Sequence, residues 1–233
     1  MIGSLQRSVR TLLWDKAPRN HRQDPRPFRV RQAVTAAVVV LGAGVLAWSL
    51  AIEPGNPAFY GATLLLAAVW TVGAFASGPL YLGRVARPGR DELGRPVLGG
   101  VLLGLVLAGA FVVGALAVRE VPFLDRQVSH VLDHASAGVT PVLVVITVLN
   151  GVAEELFFRG ALYAAVPHHP VLVSAGAYTV ATLATGNVML GFAALLLGLV
   201  VGLERRASGG VLAPVLTHVT WSTTMLLVLP MLF

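Results

Sequence analysis

Cysteine is missing from the 233-residue chain. That absence excludes disulfides, thiolate metal sites and a cysteine nucleophile, and it leaves the compartment open. Charge is the second shortage. Only 12% of residues are charged, where a soluble domain is nearer a quarter. Aromatic residues make up 7%, and Lys16 is the one lysine among 17 basic residues, a codon preference more than a chemical one. The first ~30 residues are polar and basic, with neither an apolar core nor a small-residue cleavage site, so no secretory leader is expected. Internal repeats and low-complexity tracts are also missing.

What remains is largely Leu, Val, Ala and Gly. The hydrophobic fraction is 56% and the mean hydropathy +0.77. A chain of this length has room for one soluble core or for roughly seven or eight membrane spans of ~20 residues. The scarcity of charge selects the second, and abundant small residues suit helices packed closely in lipid. The net charge of +6 would suit nucleic acid. The positive residues instead sit between apolar runs, so the expected partner is the lipid bilayer, with no nucleic acid. The fold class read from sequence is all-α: a polytopic membrane bundle of about seven to eight transmembrane segments.

Residues 1–30 read as a basic juxtamembrane arm carrying Arg7, Arg10, Lys16, Arg19, Arg22, Arg26 and Arg29, attracted to anionic head groups. Residues 31–138 read as N-terminal spans and 139–229 as a core carrying the motifs. The expected spans are 33–52, 59–82, 97–118, 139–166, 171–184, 188–203 and 211–229. Between the third and fourth, 119–134 reads as a mixed-charge, amphipathic loop. The fourth span would reach ~40 Å against a ~30 Å hydrocarbon core. It must tilt, kink or break, and Asn150-Gly151 is the expected place. Glu204, Arg205 and Arg206 read as a loop. The arm, the Arg84–Arg95 loop (with Arg87 and Arg90) and Arg205-Arg206 are expected on the cytoplasmic side by the positive-inside rule, with Glu53 and Asp125 outside. The expected location is the cell membrane, multi-pass, with a cytoplasmic N-terminus. Two helices within 139–166 would change the parity and the side of the C-terminus.

Charge within a span costs ~3 kcal/mol or more and usually marks function or a pairing. Glu154, Glu155 and Arg159 lie well within an apolar run. Glu155 and Arg159 are four apart, share a helix face and can pair. Glu154 is turned ~100° away, over Asn150. A carboxylate without a built-in partner in an apolar interior can act as a general base toward water. The alternative is a buried ion-pair cluster that fixes helix register. His218 is the histidine well within the last span, with Ser222 one turn on. It either hydrogen-bonds a neighbouring helix or polarises a carbonyl and orients water. His218 lies about two turns from Arg205-Arg206 and Glu154 about three turns from Pro167, so one shared depth is expected. Tyr178 and Thr182 share a face of the fifth span. His168-His169 reads as a surface turn. There is no His-Glu-x-x-His and no Gly-x-Ser-Gly. A catalytic zinc wants about three protein ligands; if a divalent metal such as zinc is held, Glu154 and His218 are its candidates.

The run Asn150-Gly151, Glu154-Glu155-x-x-x-Arg159 and Gly160-Ala161-Leu162-Tyr163 resembles the first motif of the CAAX protease and bacteriocin-processing enzyme family, the type 2 CAAX prenyl protease-like intramembrane endopeptidases. The resemblance covers about residues 141–229. The family's second motif, an aromatic residue followed four positions later by histidine, falls on Tyr178 and Thr182, with threonine for histidine. Its third motif, histidine followed four positions later by asparagine, falls on His218 and Ser222, with serine for asparagine. The resemblance implies that Glu154 activates water, that Glu155 and Arg159 shape the site, and that His218 stabilises the oxyanion. It also implies a membrane-associated protein or peptide substrate. In the family the replaced histidine helps hold water or a metal, as a metalloprotease would require; Thr182 and Ser222 can hydrogen-bond but are poor metal ligands. Loss of one oxyanion donor costs ~3 kcal/mol where measured. Two other readings stand beside an active endopeptidase: an inactive relative serving as a membrane scaffold or immunity and binding protein, and a small transporter using Glu154, Glu155 and His218 as a proton relay.

Overall fold

Proline and polar turns divide the apolar sequence, and in the computed structural model almost every run between them is a helix. The structure describes residues 6, 9–17, 23–86 and 93–233; Arg7, Arg19, Arg22, Arg87 and Arg90 of the basic segments lie outside them. A short π-helical turn, Arg10–Trp14, precedes α1 (Pro25–Ala51), α2 (Ala58–Ala76), α3 (Val97–Val118), α4 (Pro122–Ala137) and α5 (Thr140–Glu155). α5 continues through a π-helical segment, Leu156–Leu162, and a last turn, Tyr163–Ala165. Then follow α6 (Pro170–Leu183), α7 (Val188–Ser208) and α8 (Leu212–Val228). A two-residue antiparallel ladder pairs β1 (Val85–Ala86) with β2 (Leu93–Gly94). Among the described residues, six helices are long and apolar enough to cross a membrane: α1, α2, α3, α5 with its continuation, α7, and α8 extended to Met231. α6 is apolar but shorter; its 14 residues span ~21 Å. Large apolar side chains such as Val40, Val106, Val113 and Val180 point outward and are exposed, which lipid tolerates and water does not. The chain is an all-α, multi-pass membrane bundle.

Small residues set the helix contacts. On α3, Gly100 and Gly104 recur every fourth residue, and a Cβ on Gly104 would stand 2.7 Å from Thr217 O and 2.8 Å from Thr220 Cβ of α8. The Thr217 hydroxyl closes this contact by donating to Gly100 O at 2.9 Å. Gly191, Gly198 and Gly202 of α7 face Leu183, Ala175 and Val171 of α6 in the same way. Such close backbones replace the hydrophobic driving force that lipid cannot supply. Between α2 and the π-helical segment, Trp70 (1% exposed) meets Phe157 and Phe158 (each 0%) at ring separations of 4.8 and 4.9 Å.

The basic segments gather at one end. Arg31, at the start of α1, donates to Ser77 O and Pro79 O beyond the C-terminus of α2, where a cation satisfies orphan carbonyls and the helix dipole. Arg84 N bonds Ser208 O, Arg95 Nη1 bonds Gly83 O and Arg206 Nη2 bonds Leu13 O. Gly83 has φ +82°, and a side chain there would collide with Gly210 and Ser208. The opposite end joins Ile52, α4 and the α6–α7 turn: His134 Nε2 donates to Ile52 O at 2.8 Å, and Asn187 Nδ2 to Gln127 O at 2.6 Å.

Three expectations are corrected. Asn150-Gly151 does not interrupt the fourth span; α5 runs through it, and the irregularity falls at the π-helical Leu156–Leu162. Residues 119–134 are not a loop, since Pro122 opens the 16-residue α4, whose Leu132 and His134 are buried. Glu204, Arg205 and Arg206 are not a loop either; they belong to α7, and Glu204 and Arg205 are 0% and 4% exposed. The chain reverses only at Gly209, in the left-handed region with φ 71°, where glycine ends a helix without strain.

Candidate active site

The Glu154-Glu155 pair stands where α5 gives way to π-helical geometry. A π segment inserts a residue into the turn and re-aims the side chains around it, which is why such segments recur at functional sites. Here it is locked from α7: Arg205 Nε donates to Arg159 O at 2.7 Å, and Gly198 leaves room for the guanidinium, since a Cβ there would lie 3.0 Å from Arg159 Nη2.

Glu155 and Arg159 are both 0% exposed and pair at 3.0 Å. The same carboxylate oxygen, Oε1, accepts from His218 Nδ1 at 2.8 Å. One buried carboxylate thus holds a cation on its own helix and an imidazole from α8, the combination that makes a buried ion pair tolerable. Because Nδ1 donates, Nε2 is the ring atom turned toward Glu154, at 3.9 Å from its Oε2. That separation exceeds a direct hydrogen bond and suits a bridging water. Gly151 keeps α5 against α8 here, with His218 Cδ2 at 3.6 Å from where its Cβ would be.

Glu154 differs from its neighbour. Its side chain is 14% exposed, against 0% for Glu155, and Oε2 accepts the Tyr178 hydroxyl of α6 at 2.6 Å. Glu154 therefore does have a partner, contrary to the expectation of an unpaired acid, but that partner is neutral. The Tyr178 ring also carries the Arg159 guanidinium, 4.9 Å from its centroid, so one tyrosine spans both halves of the cluster.

The remaining candidates stand apart from this constellation. Asn150 Nδ2 donates to Thr63 O and Ile146 O, a tie between α2 and α5. The Thr182 hydroxyl donates to Tyr178 O at 2.9 Å, along its own helix. Ser222 bonds Val219 O at 3.4 Å and lines an apolar cavity in which Glu154, His218 and Thr182 take no part. His168 and His169 lie in an exposed turn, with His169 at φ 50°.

Sequence reasoning missed Glu204 and Arg205. Gly191, Gly198 and Arg205 recur every seven residues and so share a face, a signal that would have turned Arg205 inward. Glu204 lies beside the Thr217 hydroxyl. That hydroxyl gives its one hydrogen to Gly100 O, and neither Glu204 oxygen accepts a hydrogen bond.

The donor set does not fit a catalytic zinc, which takes about three protein ligands. Glu154 and His218 converge, the Thr182 hydroxyl is committed to its own helix, and among the described residues no group of three His, Asp or Glu is placed to hold a metal ion. The metalloprotease reading is not supported.

Fold and cluster together define a multi-pass membrane protein with an acid–imidazole centre inside its helices. The family model "Type II CAAX prenyl endopeptidase Rce1-like" matches residues 136–224, the stretch that holds every member of the cluster. The matched stretch is also the one whose motifs resemble the CAAX protease family. No curated protein and no solved structure matches the chain.

Proposed function

We propose that this chain is an intramembrane endopeptidase of the CAAX-processing type, cleaving a peptide bond near the cytoplasmic leaflet with water activated by Glu154. The observation that carries the reading is the 3.9 Å approach of His218 Nε2 to the partly exposed Glu154 carboxylate, with the imidazole held from behind by buried Glu155. A water between the two gives its proton to Glu154 and attacks the scissile carbonyl carbon. The oxyanion forms beside His218 Nε2, which must carry a hydrogen to donate to it while Nδ1–H stays on Glu155. Glu154 then returns the proton to the amide nitrogen as the C–N bond breaks, and its carboxylate is regenerated. Glu155, Arg159 and Tyr178 are positioning residues that fix His218 and Glu154. The end of the bundle where the basic segments meet is taken as cytoplasmic, with the N-terminus inside. Arg159, whose carbonyl Arg205 grips, brings the cluster toward that end.

The substrate class follows from the family description: a prenylated peptide reaching the site from the bilayer. The test is to incubate the full chain, in liposomes, with such a peptide in ¹⁸O-water. Cleavage with one labelled oxygen in the new carboxyl group supports the reading. An intact peptide after exhaustive incubation of well-folded protein opposes it.

A second reading, a non-catalytic membrane binding protein, is favoured by one observation: the hydroxyls of Thr182 and Ser222 are both turned to carbonyls of their own helices, so neither is free to serve a reacting group. A gain of cleavage in the double variant Thr182→His, Ser222→Asn, from an inactive parent, would identify it.

A further inference from the structure

At the end of the bundle opposite the basic segments lies a half-enclosed cavity of about 550 Å³. α3, α4, α5, α7 and α8 all contribute to its wall. The interior is apolar, with Leu107, Phe111, Leu196 and Met225 among its lining residues, and its volume falls within the ordinary range for ligand sites. The surrounding solvent is hydrocarbon, so a space of this kind among spans suits an alkyl chain.

A polar group in the wall points to the head of the occupant. His134 lines the cavity, is 5% exposed and donates Nε2–H to Ile52 O. Its Nδ1 is buried and meets no hydrogen-bond partner. In this tautomer Nδ1 is an acceptor, and a buried acceptor calls for a donor. The charges around this end are Glu53, Glu120, Asp125 and Asp133 against Arg119 and Arg126, four acids to two bases with histidines neutral. A net charge of two negatives repels an anionic head group and attracts an ammonium. We propose that the cavity binds one acyl chain of a zwitterionic aminophospholipid, its ammonium donating to His134 Nδ1. The site is separate from the Glu154–His218 centre. Trp221 is the shared wall, lining the cavity while its ring stands 6.1 Å from His218 and 5.1 Å from Phe111.

The structure supplies a matched pair of variants. Gly114 lines the cavity and Gly109 does not; an added Cβ meets nothing within 4 Å at either. Both lie on α3, where leucine favours the helix over glycine. Full-length protein in vesicles is photolabelled with phosphatidylethanolamine carrying a diazirine in its acyl chain, and the labelled residues are mapped. The expected result is labelling concentrated on 107–118 and 221–229. Gly114→Leu should reduce it by about tenfold or more while Gly109→Leu leaves it unchanged. A phosphatidylglycerol probe with the same chain should label severalfold less. Equal labelling of the two glycine variants, label spread evenly over the lipid-facing helices, or equal labelling by the two head groups would overturn the assignment.

Discussion

His218 is bound through Nδ1 to Glu155, not to the adjacent Glu154: the Nδ1–Oε1 distance is 2.8 Å, and the ring's other nitrogen stands 3.9 Å from Glu154. The two consecutive acids thereby separate in role. Glu155 is an anchor buried with Arg159, and the Glu154 side chain stays partly exposed. Different consequences follow for each.

Removing the anchor should unfold the centre. Glu155→Ala leaves the Arg159 guanidinium buried at 0% exposure without its carboxylate, and breaking a buried pair from one side typically costs about 3–5 kcal/mol. A large drop in the thermal unfolding midpoint of the detergent-solubilised protein is expected. A midpoint equal to the parent's would show that Arg159 has another counter-charge.

Tyr178→Phe should separate stability from turnover. It keeps the ring under Arg159 and removes the 2.6 Å hydrogen bond to Glu154. Hydrogen bonds to charged groups are worth about 1.5–3 kcal/mol. The variant is expected to lose no more than that in stability while kcat falls by about tenfold or more. Unchanged kcat would remove Tyr178 from the positioning of Glu154.

Helix packing can be tested away from the site. Gly104→Leu drives a side chain into Thr217 O and Thr220 of α8, and forced overpacking costs about 1–3 kcal/mol. The variant should melt earlier than its parent, while Gly109→Leu on the same helix, facing open space, should not.

Glu204 should behave oppositely to Glu155. Its carboxyl is 0% exposed and neither oxygen accepts a hydrogen bond, so the isosteric Glu204→Gln removes a group whose charge would go uncompensated there. Unfolding at neutral pH is expected to shift upward or stay level. A marked loss of stability would mean that the ionised carboxylate is held by a partner.

Much of the architecture was legible because membrane spans announce themselves by length and apolarity. The seven segments read from sequence correspond to α1, α2, α3, α5, α6, α7 and α8. Glu155–Arg159 was legible for the same kind of reason, as four-residue spacing fixes a shared helix face. Three-dimensional neighbours were not. Tyr178 and His218 reach the two glutamates from different helices, and nothing in one-dimensional spacing tells which acid each will meet. The π-helical 156–162 also escaped, because its residues read as ordinary helix and the stabilising contact, Arg205 Nε to Arg159 O, spans 46 positions. Glu204-Arg205-Arg206 was misread because three charges after an apolar run look like a loop. Here they are the last turns of α7, drawn inward by the glycine face that precedes them.

The most direct measurement compares cleavage of a prenylated peptide by the parent chain and by Glu154→Gln, in liposomes of equal protein content. Glutamine keeps the shape and still accepts the Tyr178 hydroxyl, but it cannot take a proton from water. The account predicts measurable hydrolysis by the parent and none by a variant with the same melting temperature. Hydrolysis at the parent's rate in Glu154→Gln would contradict it.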